Sequence, residues 1–300
     1  MVRPDKYIRE PWRILASRKL SLLWRFYPDK LYLKCIYHTH FGKKLDLDNP
    51  KEYNEKLHYL KLVQKNPEYV KMVDKYEAKK YVAERIGEEY IVPLLGVWDS
   101  FDKIDFDSLP QQFVLKCNHD SNSYVICRDK SEFDYDFAKK RLSRCLKRNF
   151  YYLGREWVYK EIKPLIIAEA YMEDEKYGEL RDYKFFTFGG KPKLLHVVFN
   201  RQNKDEETYG DFFDMDYNHL ELRMGHNNAP VPPEKPENFE LMKKFAEILS
   251  KGTKHLRVDF YEVNGKLYFG ELTFYQDGGM GIIEPEKYNR ILGDWININS

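Results

Sequence analysis

Apolar and polar positions along this chain follow two rhythms. Recurrence at three and four residues predicts amphipathic helices over Tyr53–Leu62, over about Lys71–Ile86 ending at Gly87, over Phe137–Phe150 and over Phe239–Leu249. Apolar runs and alternation predict strands at Ile91–Trp98, Gln112–Cys117, Tyr124–Cys127, Leu165–Ala170, Asp182–Phe188 and Leu194–Phe199, the last two joined by a Gly189-Gly190 turn. Asn49-Pro50 marks a boundary, and Pro230–Pro236 is a proline-rich connector.

Two further apolar runs, Arg257-Val258-Asp259-Phe260-Tyr261 and Phe269-Gly270-Glu271-Leu272-Thr273, each carry one acid and flank the hairpin signal Asn264-Gly265. A lone carboxylate in a buried strand is costly unless a cation or hydrogen bonds compensate it, so two acids on neighbouring strands suggest a cation between them. Because side chains alternate faces, a two-residue loop would pair Asp259 with Gly270 and turn Glu271 to the opposite face. A three-residue loop with Gly265 in a left-handed bulge position pairs Asp259 with Phe269 and Arg257 with Glu271, which puts Arg257, Asp259, Glu271 and Thr273 on one face. The odd-length loop is therefore the expectation. The competing reading is an Arg257 to Glu271 cross-strand ion pair beside a solvated Asp259.

A polar loop, Asn118-His119-Asp120-Ser121-Asn122-Ser123, separates two of the expected strands. Such a loop offers backbone N–H groups and hydroxyls to an anion, and Lys116 adds a point charge, although most loops of this composition do nothing chemical and the chain has no Walker or GxGxxG pattern. Asp74, Lys75, Lys79 and Lys80 on the second helix read as a solvated face. So do Lys139, Lys140, Arg141, Arg144, Lys147 and Arg148 on the third.

With 300 residues, 43% hydrophobic and 16% aromatic, the chain can bury a substantial core in one large domain or two lobes. The net charge of +2 hides an asymmetry: residues 1–50 hold 11 Lys/Arg against 5 Asp/Glu, leaving the remainder acidic. The basic, aromatic stretch 12–37, with Trp12 and Trp24-Arg25-Phe26-Tyr27, either packs on the body with snorkelled cations or lies on an anionic membrane face; packing is the expectation. Nucleic acid is disfavoured by the acidic remainder and the lack of a recognisable module. Cys35, Cys117, Cys127 and Cys145 show no zinc or CxxC spacing and read as reduced thiols. With no run long enough to span a bilayer and no signal-peptide core at Met1, a soluble cytoplasmic protein is expected.

The stretches NEKLHYLKL, DKYEAKKYV, PLLGVWDSFDKIDFDSLPQQFVLKCNHDS, IIAEAYMED, DYKFFTFGGKPK and RVDFYEVNGKLYFGELTF, with the closing Gly278-Gly279-Met280-Gly281, resemble the TupA-like ATP-grasp family, named for a protein of teichuronopeptide synthesis. The resemblance runs from about Phe41 to Trp295. It implies an α+β ATP-grasp fold of two lobes with ATP between them: a basic N-terminal extension at 1–50, a helical or α+β region at 51–110, a small lobe at 111–172 and a large lobe with the metal hairpin at 173–300.

It also implies residue roles. Lys116 and Lys184 would meet ATP phosphates, with Lys75 from the N-terminal side and Ser121 and Ser123 in the phosphate loop. Glu169 and the Tyr171-Met172 backbone would border the adenine. Asp259 and Glu271 would hold magnesium together with Thr273, which stands where many ATP-grasp ligases have Asn. Arg257, Arg201 and Lys184 would act at the reacting groups. Asp120 departs from the glycine expected in the phosphate loop, and His119 reads as a local hydrogen-bonding residue. The implied activity is ATP-dependent joining of a sugar carboxylate to an amino acid or amine through an acylphosphate, in surface or capsular polysaccharide synthesis. A lipid-linked or small saccharide acceptor would suit the basic N-terminus, with peripheral membrane contact through residues 1–40. A glycosyltransferase or phosphotransferase of the same pathway, or a nucleotide-binding scaffold without turnover, are the alternatives.

Overall fold

The computed structural model describes residues 25–201 and 207–299. Trp12 and Trp24 of the basic stretch lie outside the described residues, and residues 25–37 lie within them. Helix α1 (Asp29–Phe41) buries Tyr32, Leu33, Ile36 and Tyr37 against Leu45, Leu47 and Met280, so this portion packs on the body. Helix α2 (Tyr53–Val63) starts at a capping box in which the Glu55 carboxylate accepts the Glu52 N–H at 3.0 Å. Among the described residues, no helix is long and apolar enough to cross a membrane.

The single helix expected over residues 71–86 is two, α3 (Glu68–Val73) and α4 (Glu77–Ile86). Asp74 makes the break. Its backbone is extended (ψ 113°), and its carboxylate accepts the Tyr76 N–H at 2.8 Å, capping α4. The same carboxylate accepts both 3.0 Å bonds of the Asn118 amide, tying the break to the polar loop.

The small lobe is an antiparallel sheet in the order β1-β4-β2-β3, built from β1 (Leu94–Trp98), β2 (Phe113–Cys117), β3 (Tyr124–Cys127) and β4 (Ile166–Ala170). β1, which the sequence reading grouped with the N-terminal region, pairs with β4. β2 buries Phe113, Leu115 and Cys117 towards α5 (Tyr135–Leu146), which supplies Ala138, Leu142 and Cys145, and turns Lys116 the other way. α5 begins and ends earlier than the expected 137–150, because Asp134 caps it by accepting the Phe137 N–H at 2.8 Å.

The large lobe is a six-stranded antiparallel sheet in the order β11-β10-β5-β6-β7-β8. Its strands are β5 (Asp182–Phe188), β6 (Lys191–Phe199), β7 (Tyr209–Phe213), β8 (His219–Leu220), β10 (His255–Val263) and β11 (Lys266–Thr273). A short ribbon pairs β9 (Arg223–Met224) with β12 (Ile283–Glu284). Helix α6 (Phe239–Ser250) covers one face of the large sheet, sharing a core with Phe185, Val197, Leu256 and Val258.

Two of the contacts that join α2 to this lobe each carry a prediction. Helix α7 (Lys287–Trp295) approaches the start of α2 so closely that a Cβ on Gly293 would sit 2.1 Å from the Lys51 carbonyl oxygen. Gly293→Ala is expected to destabilise the fold by about 1 to 3 kcal/mol through overpacking, read as a lower urea midpoint at unchanged slope.

The second contact is buried. The His255 ring donates from Nδ1 to the Thr187 carbonyl at 2.9 Å and accepts at Nε2 from the Tyr53 hydroxyl at 3.0 Å. Burial pushes the pKa of His255 from 6.5 down to about 4, and pushes His58 and His196 down as well. The unfolded chain thus takes up the His255 proton near pH 6.5 while the folded chain resists it until about pH 4. Stability therefore falls as pH drops through that window, by roughly 3 kcal/mol for His255 alone. Urea midpoints between pH 7 and 4 measure this, and a flat profile would contradict it.

Candidate active site

The hairpin reaches the expected grouping by a different route. Its loop has two residues, Asn264 and Gly265, both at positive φ (50° and 75°), with Val263 paired to Lys266. A bulge at Gly270 then shifts the register, so that Phe260 faces Phe269 but Asp259 faces Glu271 and Arg257 faces Thr273. The three-residue loop and the Arg257 to Glu271 pairing are thus corrected, while the four side chains still share one face.

On that face Arg257 is the hub. Its Nε and Nη2 reach Asp259 Oδ1 and Oδ2 at 2.6 Å each, Nη2 reaches Glu271 Oε1 at 2.5 Å, and Nη1 donates to Gln276. Asp259 is nearly inaccessible and also takes Lys184 at 2.8 Å, so it is not a solvated acid. Lys184 in turn reaches Asp182 at 3.0 Å, and Arg201 pairs with the other oxygen of Asp182. Thr273 sits at the edge, its hydroxyl 3.5 Å from Glu271 Oε1. Burial would raise the Glu271 pKa, yet Arg257, Lys75, Lys184 and Lys116 together hold it at about 2, so the carboxylate is ionised at any working pH.

The small lobe supplies a second cluster. Glu169 is gripped by Lys116 at 2.5 Å and Lys79 at 2.7 Å, and these cations hold its carboxyl below its ordinary value despite burial. Lys79, expected on a solvated face, is instead half-buried and also donates to the Val92 carbonyl at 2.8 Å. Tyr171 and Met172 follow β4 directly and are half-buried; Tyr171 accepts from Arg128 at 3.1 Å and donates to Glu173.

The polar loop between β2 and β3 faces the hairpin. Lys75, placed by the break at Asp74, donates to the Asp120 carbonyl at 2.6 Å and lies 4.0 Å from Glu271 Oε2. The Asp120 carboxylate points inward, where Ser123 donates to it, so it does not meet an anion on the outside. Ser121 is exposed at the tip and Ser123 is buried. His119 makes local contacts with Asn118 and the Arg148 carbonyl, as expected. Arg141, expected to be solvated, holds the carbonyls of Asn122 at 2.6 Å and Tyr124 at 3.1 Å.

A family model for TupA-like ATP-grasp proteins matches residues 55–297. The chain belongs to that family. Comparison with curated proteins found no match. Among solved structures, this TupA-like ATP-grasp protein is similar to D-alanine–D-alanine ligase from Helicobacter pylori (14% identity, 82% of this chain and 70% of that one, TM-score 0.45). It is similar also to D-alanine–D-alanine ligase from Bacillus anthracis (18% identity, 68% and 57%, TM-score 0.40) and to the ADP complex of purK, an N5-carboxyaminoimidazole ribonucleotide synthetase (10% identity, 82% and 57%, TM-score 0.43). The match spans 57% of the length of the Bacillus anthracis ligase.

The residues present fit a nucleotide with magnesium. Asp259 and Glu271 stand directly opposite each other on adjacent strands, and magnesium takes one or two carboxylates and fills its shell with phosphate oxygens and water. Among the described residues no group of three or more His, Cys, Asp or Glu forms a metal cluster. Lys75 stands beside Glu271 and Lys184 beside Asp259, while Lys116, ion-paired with Glu169, still bears on Glu271 through space.

Proposed function

We propose that this ATP-grasp protein is an ATP-dependent ligase that joins a carboxylate to an amine. The observation that carries the reading is the convergence of Arg257, Lys184 and Lys75 on Asp259 and Glu271 with no side-chain nucleophile among them. Phosphoryl transfer needs positioning and charge neutralisation more than covalent catalysis by the protein. Asp259 and Glu271, with Thr273 beside them, would hold magnesium, which neutralises the phosphates when bound. Lys116, Lys184 and Lys75 would then orient the phosphates, and Glu169 with the Tyr171-Met172 backbone would border the adenine. Arg257, its three nitrogens engaged by Asp259, Glu271 and Gln276, would set its fixed positive charge beside the transferred phosphoryl or the substrate carboxylate. The carboxylate attacks the terminal phosphorus to give an acylphosphate and ADP. The amine then attacks the carbonyl, forming a C–N bond as phosphate leaves.

The finer reading is a sugar-linked carboxylate as substrate and an amino acid or amine as co-substrate in surface polysaccharide synthesis, supported by the context for which the family is named. The test is ADP and phosphate release with magnesium, screened over uronic acids paired with amino acids. Pair-dependent release of both products is the expected result. ADP without free phosphate would replace the ligase by a phosphotransferase, and no ATP consumption with any pair would overturn the reading.

A further inference from the structure

The outer face of α5 has no part in the site described above. That helix packs Ala138, Leu142 and Cys145 onto β2, on the side of the small sheet away from Lys116, so its opposite face looks to solvent behind the lobe. At about 100° per residue, Phe137, Lys140, Arg141, Arg144, Lys147 and Arg148 fall within one arc of roughly 120°, with Phe137 near its middle. Lys147 is still helical (φ −81°, ψ −3°) and the Arg148 N–H returns to the Cys145 carbonyl at 2.9 Å, so the arc continues past the last residue of the helix.

The charge of this stretch is at odds with the chain around it. Residues 135–148 hold six Lys/Arg against one Asp, whereas residues 51–300 as a whole are acidic on balance. Lys139 lies off the arc and pairs with Asp102, and Arg141 is taken by the carbonyls of Asn122 and Tyr124. Among the described residues the side chains of Lys140, Arg144, Lys147 and Arg148 make no hydrogen bond or ion pair. Like charges three and four residues apart on a helix destabilise it, and an anionic surface laid against them reverses that cost. Apolar rings stand among these cations: Phe137 is 52% exposed, and Arg141 brings Tyr124, 50% exposed, to the edge of the arc.

The other basic, aromatic stretch of the chain meets the body where α5 ends. The Arg25 guanidinium lies 4.6 Å over the ring of Tyr152, the Tyr151 hydroxyl donates to Asp29 at 2.6 Å, and Phe26 is 91% exposed. Residues 1–24 add six Lys/Arg against two acids.

We propose that the Phe137–Arg148 face of α5, with the stretch that enters at Arg25, docks the protein on an anionic lipid bilayer. The assignment goes beyond the ligase reading and does not rest on it. Clustered Lys and Arg on an amphipathic helix are drawn to anionic headgroups, and two weak elements on one body reinforce each other by effective concentration. A soluble polyanion would answer the cations alone, whereas a bilayer also takes the rings of Phe137 and Phe26 into its headgroup boundary. Docked on this face, the small lobe keeps the Lys116 side of its sheet free for the nucleotide.

Sedimentation of the full chain with vesicles tests the proposal, comparing phosphatidylcholine alone with phosphatidylcholine containing about one third phosphatidylglycerol. Binding is expected to be at least about tenfold tighter to the anionic vesicles and to weaken as salt is added. Lys140→Gln, Arg144→Gln and Lys147→Gln combined are expected to lower it at least about tenfold, and Phe137→Ser at least about threefold, with the parent's urea midpoint kept. Phe137→Ser, a single exposed change, keeps the test decisive if the triple variant does not fold. Equal binding to both vesicle types, or anionic binding that survives the triple variant and Phe137→Ser alike, overturns the docking face. Capture of heparin or single-stranded RNA by a chain that leaves anionic vesicles unbound would make this a polyanion site and overturn the bilayer.

Discussion

Glu271→Gln is expected to lower ATP turnover by roughly 10²- to 10³-fold while the protein stays folded, the scale on which removing one preorganised electrostatic contact acts. The side chain is 37% exposed, so the change leaves a neutral amide at the rim of the cluster rather than an uncompensated charge in the core. What it removes is one of the two opposed carboxylates and the charge facing Lys75 at 4.0 Å. ADP release at saturating ATP, repeated over a range of magnesium concentrations, measures the loss. If the acid serves magnesium, the variant also needs more metal for half-maximal rate. Activity within threefold of the parent at every concentration would show that Glu271 is a structural partner of Arg257 and no more. A scaffold without turnover would show neither effect and would keep its nucleotide binding.

The parts of this site that the sequence makes legible are those governed by local period. Lys116 alternates outward on β2 from Phe113, Leu115 and Cys117, and Lys184 does the same in a strand otherwise buried on both faces. The acids of the hairpin follow the same rule, but their register depends on one extra residue, Gly270. A bulge there and a longer loop at Gly265 are equally consistent with the apolar pattern, since each restores Glu271 to the face of Asp259. Nothing local chooses between them. Asn264-Gly265 strongly favours the two-residue turn, and weighting that signal above loop parity would have found it.

Lys79 and Arg141 were illegible for a different reason. Both sit on helices whose polar positions look alike in sequence, and only the lobe packed against each helix tells a bonded cation from a solvated one. Asp74 is intermediate: an aspartate two residues before a backbone N–H it can cap is a helix-start signal, and it predicts the break that aims Lys75. The inward turn of the Asp120 carboxylate onto Ser123 removes the conflict that an acid in a phosphate loop suggested, and no sequence pattern records a rotamer.

Arg257→Met is expected to cost about 3 to 5 kcal/mol of stability, the usual price of removing one partner of a buried ion pair. Arg257 is 7% exposed and answers two acids at once; without it Asp259, 1% exposed, keeps Lys184 alone and Gln276 loses its donor. Burial opposes the guanidinium charge, but Asp259 and Glu271 raise its pKa further, so the group is charged at every accessible pH. Arg257→Lys separates charge from geometry. An ammonium restores the sign but has no fork to reach both oxygens of Asp259 together with Glu271, so most of the stability should return and little of the turnover. Urea midpoints and ADP release on the two variants read these quantities independently. Equal stability of Met variant and parent would mean that the acids are satisfied without the arginine. Full activity in the Lys variant would mean that charge alone suffices, and the planar fork would lose its place in the chemistry.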